Sequence, residues 1–164
     1  MQYTDKLSPH FTYGEMVTSE TATRLMIDNN PNNTQIENLK VLCINVLEPI
    51  RSHYKKPIIV HSGYRCPEVN KLIGGAERSQ HTFGEAADID VFAVKTTGLF
   101  EWIVLESELI YDQIICEFLE WVHISYKRNG NNRLRNTVAR KVDGQTVYKH
   151  YTKEQIKNGN IIYE

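Results

Sequence analysis

Three features of the 164-residue chain predict an α+β fold, a small antiparallel sheet with helices packed on it. The runs Ala86-Ala-Asp-Ile-Asp-Val-Phe92 and Trp121-Val-His-Ile-Ser-Tyr126 alternate with the two-residue period of half-buried strands. Ile36, Leu39, Cys43, Val46, Leu47 and Ile50 recur at helical spacing over about five turns. Asp143-Gly144 sits between Val138-Ala-Arg-Lys and Thr146-Val-Tyr-Lys, where a tight hairpin turn is expected.

Taken in order, residues 1–33 hold short helices. Thr12 with Glu15 forms a capping-box pattern that starts one, and Asn29-Asn30-Pro31 closes the segment as a turn. Thr34 with Glu37 repeats the capping signal and opens the amphipathic helix, which ends before Pro57. Its apolar stripe reads as core. Pro57-Ile-Ile-Val-His61 reads as a buried strand leading to Arg65. Pro67 and Gly74-Gly75 frame a short helix from Glu68 to Ile73. Thr97 to Ser107 is a further helix that offers Leu99, Phe100, Ile103 and Val104 for packing, and Gln113 to Glu117 is another strand. Residues 127–164 form a basic hairpin extension: Lys127, Arg128, Arg133, Arg135, Arg140 and Lys141 come with no acidic residue among them.

With 41% hydrophobic and 10% aromatic residues, the chain supports one domain with a core, residues 1–164. A net charge of −1 gives no reason to expect nucleic acid as a partner. No apolar run approaches the ~20 residues that membrane insertion requires. The opening Met-Gln-Tyr-Thr-Asp-Lys lacks a signal-peptide core, so synthesis in the cytoplasm is expected. Cys43, Cys66 and Cys116 are odd in number and far apart, which argues for reduced thiols, with Cys43 and Cys116 buried. A monomer is expected.

The chemistry concentrates in Ser79-Gln-His-Thr-Phe-Gly-Glu-Ala-Ala-Asp88 and in Glu120-Trp-Val-His123. Two imidazoles, one ligating carboxylate and one spare carboxylate are what a catalytic zinc site uses, with a fourth position left for water. For His81 and Asp88 to share a metal their donor atoms must lie within about 4 Å. Seven residues span roughly 23 Å in a strand or about 10 Å in a helix. The chain must therefore fold back between them, and Gly84, free to take positive φ, is the expected reversal. His123 lies opposite Val122, Ile124 and Tyr126 on its strand. Glu120 has the wrong parity to join His123 unless the strand begins with a bend or bulge. Glu117 is the rival base, since a tight connection at Phe118-Leu119 would leave the two glutamates close together.

At these residues the chain resembles the zinc D-Ala-D-Ala carboxypeptidase family, peptidase M15, which includes vancomycin-resistance dipeptidases and phage L-alanyl-D-glutamate endopeptidases. The match comprises Ser-x-His-x-x-Gly-x-Ala-x-Asp, Glu-x-x-His with an adjacent tryptophan, Ser62-Gly-Tyr-Arg65, and the upstream Leu-Ser-x-x-Phe-Thr opening and long helix. It covers roughly residues 7–126 and is nearest the small phage-type members with one domain. The resemblance implies a hedgehog/DD-peptidase-like fold in which His81, Asp88 and His123 hold Zn2+ and Glu120 is the general base. It further implies that Arg65 stabilises an oxyanion or grips a substrate carboxylate, and that Ser79 lines the substrate cleft. Glu117 beside Glu120 departs from the pattern and leaves the base open.

The expected activity is therefore hydrolysis of an amide bond in peptidoglycan stem peptides, at the bacterial cell wall, by an endolysin or virion-borne enzyme. A non-catalytic wall-binding or virion structural protein that keeps a zinc site is the alternative, and a cysteine hydrolase using Cys66 or Cys116 a more remote one. His10, His53, His61 and His150 read as ordinary surface or core residues, Asp90 as the lesser candidate ligand, and Trp121 as packing beside the site. The basic extension reads as a solvated hairpin, or else as a surface for anionic wall polymers, with salt-sensitive binding.

Overall fold

The computed structural model describes residues Met1–Glu164. Its centre is a six-stranded sheet in the order β1-β2-β4-β3-β5-β6, formed by Ile58–Ser62, Ala86–Val91, Gln113–Glu117, Trp121–Ser125, Arg135–Val142 and Gln145–Tyr151 as β1 to β6. The sheet is mixed where an antiparallel one was expected: β3 and β5 pair in parallel. The cause is the link 126–134, which leaves β4 beside Gln113 and passes over the end of β3. It enters β5 at Arg135, on the other side of Gln113. Asp112 anchors this link. Its carboxylate accepts hydrogen bonds from Arg133 and from Gln80 Nε2 (2.9 Å), and Lys127 lies 3.3 Å away.

Seven α-helices surround the sheet. Tyr13–Val17 (α1) opens with the expected Thr12–Glu15 capping box, and Glu20–Leu25 (α2) follows. The long helix comprises Asn33–Leu42 (α3), a π-helical turn at Cys43–Leu47, and Glu48–Tyr54 (α4). Its cap is Asn32 with Gln35, not Thr34 with Glu37. The Asn32 side chain accepts from the Gln35 N–H, and Gln35 Oε1 accepts from the Asn32 N–H. The π turn precedes Pro49, which has no N–H to give and whose ring crowds the carbonyl four residues back; widening the helix by one residue accommodates both. Pro67–Leu72 (α5), a 3₁₀ segment Gln80–Phe83, Thr96–Leu105 (α6) and Lys153–Lys157 (α7) complete the elements.

The two faces of the sheet differ in composition because strand side chains alternate. Ala87, Ile89, Val91, Ile114, Cys116, Val122, Ile124 and Val138 point to one face and join a cluster of 31 buried residues with α6 and the long helix. Phe100, Leu42, Leu47 and Ile50 are fully buried there. All three cysteines are buried and free. Asp143 and Gly144 take positive φ, +50° and +77°, at the β5–β6 turn, as a type I′ hairpin requires.

The pairing register places Ser62, Asp88, His123, Ile115, Thr137 and His150 in one transverse row across all six strands on the other face. This row carries the site.

Asp112 gives the fold a testable acid sensitivity. Burial alone would raise its pKa, but the hydrogen bonds and charge of Arg133 and Lys127 outweigh burial and lower it. A carboxylate whose folded pKa lies below its unfolded value of about 3.9 stabilises the fold above that pH. The contribution fades as pH falls through the folded value. Asp112→Asn should cost about 2–3 kcal/mol at pH 7, and thermal unfolding at pH 7 and pH 3 should show the gap from wild type narrowing in acid.

Candidate metal centre and the cavity around it

His81 sits in the 3₁₀ segment, and the reversal that brings Asp88 back to it occurs at Gly84, with φ +68°. A side chain at Gly84 would also collide with the Gln35 carbonyl, its Cβ falling 2.5 Å from that oxygen. The first turns of α3 clasp the loop from the same side: Gln35 Nε2 donates to Thr82 O and Asn38 Nδ2 to Phe83 O, both at 2.9 Å. Asp88 and His123 then face each other as directly paired residues of β2 and β4.

The three donor atoms form a nearly equilateral triangle. His81 Nε2 lies 3.1 Å from Asp88 Oδ1 and 3.1 Å from His123 Nδ1, and His123 Nδ1 lies 2.9 Å from Asp88 Oδ1. Ligands about 2.0–2.1 Å from a tetrahedral ion stand about 3.3 Å apart, so the triangle is close to ligation size. Lone pairs point inward. His81 Nδ1–H donates to the Gly63 carbonyl at 2.6 Å, which leaves Nε2 as an acceptor facing a carboxylate that is itself acceptor-only. A cation between them resolves that conflict, so the donor set fits a divalent metal ion. His81, Asp88 and His123 are 2%, 7% and 7% exposed.

Second partners hold each acidic or basic group in its state. Arg65 Nη2 donates to Asp88 Oδ2 at 3.0 Å. Burial works against ionisation of Asp88, yet the two imidazoles prevail and hold its carboxyl well below the usual range. Burial likewise lowers the His81 pKa, favouring the neutral imidazole that a metal requires. Arg65 Nε is buried without a partner.

The triangle opens into a cavity of about 970 Å³. Arg65, Ser79, Glu117, Trp121, Arg135, Tyr148 and His150 are among its lining residues. Glu120 is not. Phe118 and Leu119 both take positive φ, and the Glu120 N–H returns to the Glu117 carbonyl, so the β3–β4 hairpin turns tightly with no bulge that would swing Glu120 inward. Glu120 is exposed at the turn, whereas Glu117, paired with Trp121, shares the face of His123. Of the two glutamates, the structure brings Glu117 to the cavity beside the triangle and leaves Glu120 outside it. Burial and the nearby Asp88 charge raise the Glu117 pKa, against the lowering influence of His123 and Arg65. The indole N–H of Trp121 is buried without a hydrogen-bond partner.

Asp90 stands outside the triangle and bonds His61 Nε2 at 2.8 Å. His150 and Tyr148, read from sequence as ordinary residues of a hairpin, line the cavity. The alternation of β6 could have placed them together, but no motif marked the parallel β3–β5 pairing that carries the hairpin to the site.

These features define an α+β protein in which a buried His-Asp-His group that could hold a metal ion opens onto a large cavity. Residues 9–125 match the family described as Peptidase M15, and the chain belongs to that family of metallopeptidases. No curated protein matches the chain. The family match ends at Ser125, the last residue of β4, so β5 and β6 lie beyond it.

Gly63 links the N-terminal segment to the metal site. A Cβ there would stand 2.3 Å from the Met16 carbonyl oxygen, while its own carbonyl holds His81. Gly63→Ala should weaken Zn2+ affinity by about tenfold or more through the displaced second partner, read by competition with a chromogenic chelator.

Proposed function

We propose that this protein is a zinc-dependent peptidase that hydrolyses an amide bond in peptidoglycan stem peptides, acting at the bacterial cell wall as a lytic enzyme of the phage type. The observation that carries the reading is the buried triangle of His81, Asp88 and His123 at the floor of a cavity that Glu117 also lines. Family membership and the resemblance to wall-lytic phage enzymes support the substrate class.

His81, Asp88 and His123 would hold the ion. Zinc held there would supply a Lewis acid for the scissile carbonyl and would acidify a water. Glu117 is placed to take a proton from the attacking water and to return it to the leaving amine, a role suited to a carboxylate whose pKa is raised by burial and the nearby Asp88 charge. Arg65, anchored on Asp88, offers its remaining guanidinium donors to the oxyanion or to a substrate carboxylate. Ser79 lines the cleft and positions substrate.

Purified sacculi provide the test. Incubation with the zinc-loaded protein should release new amino groups, and chelation should stop the release until zinc is restored. Mass spectrometry of the fragments distinguishes loss of a terminal alanine from cleavage between L-alanine and D-glutamate. Binding to sacculi with no new amino groups would instead support a non-catalytic wall protein.

Glu117→Gln should retain zinc and lose about 100-fold or more in kcat, whereas Glu120→Gln should stay within about twofold of wild type. The reverse ranking, measured on one stem peptide, would return the base to Glu120.

A further inference from the structure

The far half of the cavity, outside the family match, carries cationic groups that the reaction just described does not use. Five lysine or arginine side chains line the cavity against three carboxylates, in a chain whose net charge is −1. Most of the five are already engaged. Arg65 is bound to Asp88, while Lys127 and Arg133 converge on the buried Asp112. Arg135 makes no ion pair; it is exposed and opens onto the cavity, as does Arg78 in the loop before the 3₁₀ segment.

The register fixes where Arg135 stands. It pairs with Gln113, on the face that carries Ile115, His123 and Thr137. His150 lies opposite Thr137 and is thus the diagonal neighbour of Arg135, roughly 7–8 Å away between Cα atoms. Thr137 Oγ1 and His150 Nδ1 are 2.8 Å apart. With the hydroxyl donating, Nε2–H of a neutral imidazole is left as a second donor beside the guanidinium. Tyr148, on the same face of β6, adds a hydroxyl to that wall.

We infer that Arg135, with His150 beside it, forms a carboxylate-binding subsite that selects anionic stem peptides, a role resting on the peptidase reading above. Arg135 is two strands across and two residues along from His123, roughly 12 Å between Cα atoms. An extended peptide advances roughly 3.4 Å per residue, so the selected carboxylate lies roughly three residues from the scissile amide. A guanidinium is the suitable group, because its planar fork receives both oxygens of a carboxylate. The hairpin then acts as a specificity wall, and its basic character is directed at one substrate group within the cavity.

The test uses the full-length, zinc-loaded protein and the synthetic pentapeptide L-Ala-γ-D-Glu-L-Lys-D-Ala-D-Ala in three forms: free acid, amidated at the D-glutamate α-carboxyl, and amidated at the C-terminus. Wild type should favour the free acid over one amidated form by about tenfold in kcat/KM, expressed in KM, which is the scale of one charge-assisted hydrogen bond. Arg135→Gln should erase that preference and Arg135→Lys should retain part of it. Equal KM for all three forms with wild type, or an equal loss on all three with Arg135→Gln, overturns the subsite. Fluorescence anisotropy with the same peptides separates this proposal from the peptidase reading. If no form is cleaved, a binding preference for the free acid that Arg135→Gln abolishes still supports the subsite, and equal affinities overturn it.

Discussion

With both imidazoles neutral, three acceptor atoms held about 3 Å apart by buried side chains repel one another, and much of the molecule serves to impose that arrangement. His81 cannot relieve the repulsion by turning, since its other nitrogen is tied to Gly63. Asp88 cannot turn away either, since its second oxygen is held by Arg65 and its backbone lies between two strands. The site is thus prepared for a cation before one arrives, and rigid neighbours maintain the preparation.

Those neighbours come from distant parts of the chain. The Tyr64 N–H donates to the Met16 carbonyl, and Asn29 bridges Val17 O, Tyr64 O and the Cys66 N–H, so the N-terminal helices brace the segment that bears Gly63 and Arg65. From the other side, α3 braces the loop that bears His81 through Gln35 and Asn38. The helical half of the protein supports the loops that bear His81 and Arg65, while the sheet supplies Asp88, His123 and Glu117.

Local signals were legible in the sequence; long-range pairings were not. The need for His81 and Asp88 to meet required a reversal, and Gly84 provides it because only a residue without Cβ fits both its φ and its contact with Gln35. Alternation identified the strands, and Asp143-Gly144 identified the hairpin. Motif spacing favours Glu120 beside His123, whereas strand parity puts Glu117 on the face of His123. That parity argued against Glu120 from the start. The parallel partnership of β3 and β5 left no local trace, so His150, Tyr148 and Arg135 could not be assigned to the cavity from sequence. Asn32 with Gln35 and Thr34 with Glu37 are equally good local capping patterns two residues apart, and the structure uses the first.

One consequence follows from the row that runs across all six strands. Slipping β4 by a single residue would turn His123 into the apolar interior and expose Val122 or Ile124. Only a correctly aligned sheet brings the three donor atoms together, and an ion held there would stabilise that alignment over every misaligned competitor by mass action. The metal would then act as a proofreader of strand alignment, rewarding the one arrangement in which chemistry is possible.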